Sequence, residues 1–205
     1  MIKKIIEILS DMYPEPKTEL NFETPFQLLA ATILSAQTTD KQVNKITSKL
    51  FKQFREPEDF ANLPTTELEK YIKSCGLYKN KAKNIIETSN ILVSKHDSKV
   101  PNNYDLLIKL PGVGRKTANV VLANAFGKDV LAVDTHVFRV SNRLGLAASS
   151  TVEGTEEHLL KNIPIGMRNQ AHHWLILHGR STCNAKKPKC SECPLKMYCK
   201  YVNSH

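Results

Sequence analysis

The stretch Leu110-Pro111-Gly112-Val113-Gly114-Arg115-Lys116-Thr117-Ala118 joins two segments of helical periodicity. Pro111 cannot continue the helix that approaches it, since its ring removes a backbone N–H and crowds the preceding turn. Gly112 and Gly114 permit the backbone angles of a tight reversal, and without side chains there the following amides can approach an anion. The helix opening at Arg115 aims the positive end of its dipole at the same spot. A plain connection between helices would also use Pro and Gly. A helix, a Pro-Gly-x-Gly turn and an immediately basic helix together favour phosphate binding, with Gly112, Val113, Gly114 and Arg115 at the contact.

Outward from this turn the pattern stays helical. Asn80 to Lys95 and Asn103 to Leu110 precede the turn, and Arg115 to Phe126 follows it. Ile2, Ile5, Ile6, Leu9 and Met12 make one stripe that stops before Pro14-Glu15-Pro16. Thr24-Pro25 supplies an N-cap and an N1 proline for an apolar helix from Phe26 to Gln37. Thr39-x-x-Gln42 and Thr66-x-x-Glu69 have the capping-box form and are expected to open helices reaching about Phe54 and Cys75. Val152 to Ile163 and Met167 to Arg180 complete the set, with Gly127, Gly145 and Pro164 as stops. Only Val130-Leu131-Ala132-Val133 is strand-like, and it is too short to nucleate a sheet. The fold class is all-α. No low-complexity or Gly/Ser tract marks a boundary, so two domains, if present, pack closely.

The 205 residues carry 29 Lys and Arg against 20 Asp and Glu, a formal net charge of +9. That excess favours a polyanionic partner, nucleic acid before membrane. The charge is bunched at Lys79-Asn80-Lys81-Ala82-Lys83, at Arg115-Lys116 and at Lys186-Lys187-x-Lys189. The N-terminal apolar run is broken by Lys3, Lys4 and Glu7 and lacks a small-residue cleavage site, unlike a signal peptide. No apolar stretch approaches membrane-spanning length. The expectation is a soluble cytoplasmic monomer, associated with the nucleoid, whose thiols stay reduced.

Lys116 lies in the first turn of the basic helix, where the dipole, Arg115 and partial burial would disfavour its charged form and favour a nucleophilic amine. A phosphate-binding lysine fits the same position. Asp134 tips the balance towards chemistry: it emerges from the packed run Val130–Val133 and can both cap the next helix and face Lys116. His136 has no evident role. His172, His173 and His178, with Trp174 on one helix, read as core or surface residues.

Cys183, Cys190, Cys193 and Cys199 follow the spacing Cys-x6-Cys-x2-Cys-x5-Cys, enough thiolates to close one metal site. Disulfides suit small secreted chains and are disfavoured. Structural zinc usually takes two short-spaced pairs and this run has one, whereas an iron–sulfur cube accepts irregular spacing. Both metals stay open on spacing alone. Cys75, the odd cysteine, reads as a small buried apolar residue.

Taken in order, these features resemble the endonuclease III family of DNA repair glycosylases over essentially the whole chain. The likeness rests on Leu34-Ser35-Ala36-Gln37-Thr38-Thr39-Asp40, Gly76-Leu77-Tyr78, Leu110 to Val121, Val133-Asp134-Thr135-His136, His172 to Arg180 and the cysteine run. The resemblance implies a six-helix barrel over 18–128 that carries the helix–hairpin–helix. It also implies an iron–sulfur domain built from 1–17 and 129–205, with double-stranded DNA in the cleft between the two lobes. It makes Lys116 the Schiff-base nucleophile, Asp134 the catalytic carboxylate and the four cysteines the ligands of one [4Fe–4S] cluster. Gln37 corresponds to the residue that fills the space left by an extruded base, and Leu77 and Tyr78 to a loop inserted into the opposite strand. Lys186, Lys187 and Lys189 would meet the DNA backbone, and the carbonyls of residues 111–114 would hold a monovalent cation against a phosphate. The implied activity is removal of oxidised or saturated pyrimidines, followed by β-elimination 3′ to the abasic site. The rivals are an adenine-mismatch glycosylase of the same superfamily and a non-catalytic iron–sulfur DNA-binding protein. Lys116 and the ending at His205 weigh against the first, which lacks the hairpin lysine and carries an extra C-terminal domain.

Overall fold

The computed structural model describes residues 1–203, and among them the regular structure is entirely helical. In chain order the helices are α1 (Ile2–Met12), α2 (Pro25–Ser35), α3 (Asp40–Gln53), α4 (Pro57–Ala61), α5 (Thr65–Ile72) and α6 (Tyr78–Lys95). There follow α7 (Tyr104–Leu107), α8 (Arg115–Phe126), α9 (Thr135–Leu144), α10 (Val152–Asn162), α11 (Arg168–Ser181) and α12 (Lys200–Asn203). The chain forms two compact units: Thr18–Lys128, and Met1–Lys17 with the described part of Asp129–His205. No described helix is long and apolar enough to cross a membrane.

The middle unit is built around α2. Every residue from Phe26 to Leu34 is buried, and a helix apolar on all sides has to be the centre of its core. Helices α3, α6 and α8 pack on it, and α4 and α5 pack on α6. Thr24 Oγ1 accepts the Gln27 amide at 3.2 Å, a cap worth about 1 kcal/mol. Phe60 on α4 meets Phe26 edge to face, with ring centroids 5.2 Å apart.

Several boundaries depart from the sequence reading, each for a local reason. Helix α2 stops at Ser35 rather than Gln37, because Ala36 leaves helical angles and Gln37 adopts φ 54°. Thr39 caps α3 as expected, but Gln42 turns its amide to Ser74 Oγ at 2.7 Å instead of closing a capping box. Thr66 caps nothing: Pro64 fixes the chain two residues earlier, so the helix opens at Thr65 and ends at Ile72. Helix α6 starts at Tyr78, two residues early, and α7 is a single turn followed by tight turns to Leu110. Helix α4 carries no apolar periodicity. Pro57 at its first position and the Asp59 carboxylate, which accepts the Arg55 and Glu56 amides, start it.

The second unit packs α11 against α1 and α9. Ile5, Leu9, Val137, Val140, Leu159 and Leu175 form its dry centre. Trp174 Nε1 donates to the Tyr13 carbonyl at 3.0 Å and ties α11 to the end of α1. Residues 130–133 form no regular element, and Leu131, Ala132 and Val133 are buried. His172, His173 and His178 all belong to the core. His172 Nδ1 donates to the Ala132 carbonyl at 2.7 Å. Burial, with a smaller push from His172, lowers His173 from 6.5 to about 3, and burial alone lowers His178 to about 4.

Candidate functional site

The hairpin has the geometry its residues demand. The Val113 amide donates to the Leu110 carbonyl at 3.1 Å, closing the turn, and Thr88 Oγ1 donates to the Pro111 carbonyl at 3.0 Å. Gly112 sits at φ +75°, and a Cβ there would lie 2.8 Å from Asn84 Nδ2, so both angle and space require glycine. Val113 is buried and anchors the tip. A Cβ on Gly114 would meet no atom within 4 Å, so the backbone opening α8 faces free space. Arg115 and Lys116 stand exposed beside that opening. The burial expected of Lys116 is absent, because the first turn of α8 directs it away from the buried face of Ala118, Val121 and Leu122.

Two other exposed tips of this unit adjoin one another. Gln37 (φ 54°) and Leu77 (φ 57°) are non-glycine residues in left-handed backbone, a strained state found where function holds a residue against its preference. Gly76 packs on the Gln37 carbonyl, which would lie 3.4 Å from a Cβ there. Leu77 is 58% exposed, unusual for leucine, while Tyr78 is half-buried. Lys81, one of the bunched basic residues at 79–83, points inward and is only 4% exposed. It lies on the buried side of α6 with Ala82, Ile85 and Ile86.

In the other unit, Asp134 is the N-cap of α9. Its Oδ1 accepts both the His136 and Val137 amides at 2.8 Å, so the cap makes no use of Oδ2. One turn on, Arg139 donates to the carbonyls of Gly179 (3.0 Å) and Cys183 (3.2 Å) and to His136 Nδ1 (3.2 Å). His136 thus positions an arginine. Arg143 donates to the carbonyls of Asn184 (2.8 Å) and Ala185 (3.0 Å) and approaches Cys183 Sγ at 3.5 Å. One helix therefore carries the carboxylate at its start and, along its length, two arginines that fix the path of the cysteine loop.

The four cysteines are free thiols lining one pocket with Arg143 and His178. His178 Nε2 lies 3.6 Å from Cys193 Sγ, and Cys199 Sγ lies 3.4 Å from the Arg143 carbonyl. Burial pushes the Cys193 thiol up, and Cys199, Cys183 and Cys190 push it further, against the Leu195 backbone hydrogen bond. Four thiols around one partly buried pocket would, as thiolates, suit a cationic centre. They ring the space rather than converge: among the described residues no three Cys, His, Asp or Glu side chains close up as a single-ion site. Lys186, Lys187 and Lys189 are all exposed on the intervening loop, and Leu195 plants the segment in the core.

Residues 30–164 match the HhH-GPD superfamily of base excision DNA repair proteins. Endonuclease III of Rickettsia conorii is 54% identical over 201 residues, covering 98% of this chain and 96% of that protein. The chain belongs to the endonuclease III family. A solved non-covalent endonuclease III–DNA complex matches with a TM-score of 0.94 at 45% identity, over 99% of this chain and 95% of that one. A trapped endonuclease III–DNA covalent intermediate matches at 0.93 and 44%, over 100% of this chain and 98% of that one.

The all-α fold implied by the sequence is thus the endonuclease III fold. Sequence reasoning missed the contributions of Arg139, Arg143 and Lys81. The two arginines had a faint signal, spaced four apart on one helix, but their acceptors are carbonyls some forty residues away. Lys81 gave none, because nothing in Lys79-Asn80-Lys81-Ala82-Lys83 marks which lysine turns inward.

Proposed function

We propose that this member of the endonuclease III family acts on duplex DNA containing oxidised or saturated pyrimidines, and that Lys116 is its nucleophile. The chain is a base excision repair DNA glycosylase and lyase. The observation that carries the residue assignment is an exposed amine in the first turn after an open glycine hairpin, in a family whose solved relative was trapped covalently on DNA.

The hairpin amides and the dipole of α8 take a backbone phosphate, which sets the register without reading sequence. The damaged nucleotide swings out of the stack, a cost lowered where damage has weakened stacking. Gln37 fills the space left behind, and Leu77 with Tyr78 wedges the opposite strand. Lys116 Nζ attacks C1′, the C1′–N bond breaks, and the base leaves with the bonding pair. Ring opening gives an imine between Nζ and C1′. Loss of a C2′ proton then breaks the C3′–O bond and expels the 3′ phosphate. Asp134 Oδ2, outside the cap, accepts the lysine proton or offsets positive charge developing on the sugar.

Cys183, Cys190, Cys193 and Cys199 would hold a [4Fe–4S] cluster, whose iron–thiolate bonds cross-link the loop carrying Lys186, Lys187 and Lys189. We read the Thr18–Lys128 unit as the helical barrel and the other as the cluster domain, in a monomer working at the nucleoid.

Borohydride trapping tests the assignment. Wild-type protein reacted with an abasic-site duplex under borohydride should yield one covalent adduct. Lys116→Ala should yield neither adduct nor strand cut, while still binding the duplex. Trapping and cleavage at the wild-type rate by Lys116→Ala would make another amine the nucleophile.

A further inference from the structure

Lys81 has no part in the reaction above, yet it is a cation inside the fold. Its Nζ donates to the Leu34 carbonyl at 2.8 Å and to Thr38 Oγ1 at 2.9 Å. These acceptors bracket Gln37 along the chain. The Lys81 amide in turn donates to the Leu77 carbonyl at 3.1 Å, so the same residue sits one turn from the second tip. Burial lowers the affinity of this amine for its proton, with the neighbouring Cys75 opposing that shift. Taking an ammonium out of water is costly, and a neutral donor would serve a single helix-end carbonyl as well. Its acceptors instead lie on either side of one of the two strained tips.

Left-handed backbone at Gln37 and Leu77 is strained and persists only where the surroundings over-determine it. Three contacts do so here. They are the Lys81 fork, the packing of Gly76 on the Gln37 carbonyl, and the Gln42–Ser74 hydrogen bond at 2.7 Å. Each joins the segment 34–42 to the segment 74–81, and the Lys81 fork is the buried one.

We propose that Lys81 is a positioning residue that couples the two tips, so that Gln37 and Leu77 enter the duplex as one body. This rests on the reading of Gln37 and Leu77 as the residues that invade the helix. Lys81 touches no substrate. It acts by keeping the two tips at a fixed offset while the base is extruded.

The test is single-turnover base release from a duplex holding one thymine glycol, using the full-length protein with its cluster. Lys81→Met keeps the volume and removes the charge and both hydrogen bonds. It should slow base release on the order of tenfold or more, as misplaced substrate-positioning groups do. Affinity for undamaged duplex, set by the hairpin, should stay within about threefold, or 0.7 kcal/mol. The deciding measurement is a double-mutant cycle. If Lys81 works through the tips, Lys81→Met added to Leu77→Ala should cost no more than about a further twofold, because coupled residues are not additive. Thr38→Val, which deletes one acceptor of the fork, should reproduce the coupling in part and serves if Lys81→Met does not fold. Wild-type base release by Lys81→Met, or full additivity with Leu77→Ala, overturns the coupling. Failure of the wild-type protein to release thymine glycol would instead overturn the repair reading, and this inference with it.

Discussion

The hairpin at residues 110–118 and the cysteine loop at residues 183–199 both present cations to solvent, but they are held in opposite ways. The hairpin is written in backbone. Gly112 needs its positive φ and its missing Cβ, and Val113 plugs the tip into the core. The loop is written in side chains from elsewhere. Arg139 and Arg143 of α9 catch its carbonyls, Leu195 roots it, and its four thiols line one pocket. A backbone device is local and visible in a short motif, whereas a side-chain device borrows partners from far along the chain.

Asp134 stands where the two modes meet, since one carboxylate caps a helix and supplies charge. Asp134→Asn keeps the cap, asparagine being an equally good N-cap, and loses the charge. Base release should fall on the order of 10²-fold or more with the melting temperature nearly unchanged. A parallel loss of stability would mean that capping, rather than charge, is what Asp134 contributes.

The hairpin glycines sharpen the contrast. Gly112→Ala meets Asn84 Nδ2 at 2.8 Å in a left-handed conformation, and should cost about 1–3 kcal/mol of stability by denaturant melts. Gly114→Ala has φ −93° and open space, so its stability should change by no more than about 0.5 kcal/mol. Its methyl group would nonetheless occupy the place offered to a phosphate, so binding to undamaged duplex should weaken. Unaltered binding by Gly114→Ala would move the phosphate away from the hairpin.

The smallest effect concerns the core behind the loop. His173 is held at about 3 in the fold against 6.5 unfolded, so below pH 6.5 the unfolded chain takes up a proton that the folded chain refuses. Stability is complete above pH 6.5 and declines as pH falls towards 3, by up to about 1.4 kcal/mol per pH unit from this residue. His173→Gln should flatten that slope in melts at pH 7.5 and 5.5. An identical slope would assign the acid sensitivity to other groups.

What the sequence made legible follows the same division. The hairpin, the Thr24 and Thr39 caps, the Asp134 cap and the α1 stripe are encoded within a few residues and appear where local rules put them. Helix α4 was invisible because a five-residue turn started by Pro57 has no period to detect. The left-handed turns at Gln37 and Leu77 were equally hidden, since neither residue type signals positive φ. Lys81, within a run of basic residues, is inside, whereas Lys116, for which partial burial was expected, is outside. Helical phase around α6 and α8 decides such matters, and a run of lysines conceals it.

The grip of Arg139 and Arg143 has a consequence for what can be altered. Their bonds to the loop go to the carbonyls of Cys183, Asn184 and Ala185, and a carbonyl is the same on every residue. The loop's course is thereby uncoupled from the identity of its outward side chains. Lys186, Lys187 and Lys189 can be exchanged for glutamine or arginine without redrawing the frame that carries them.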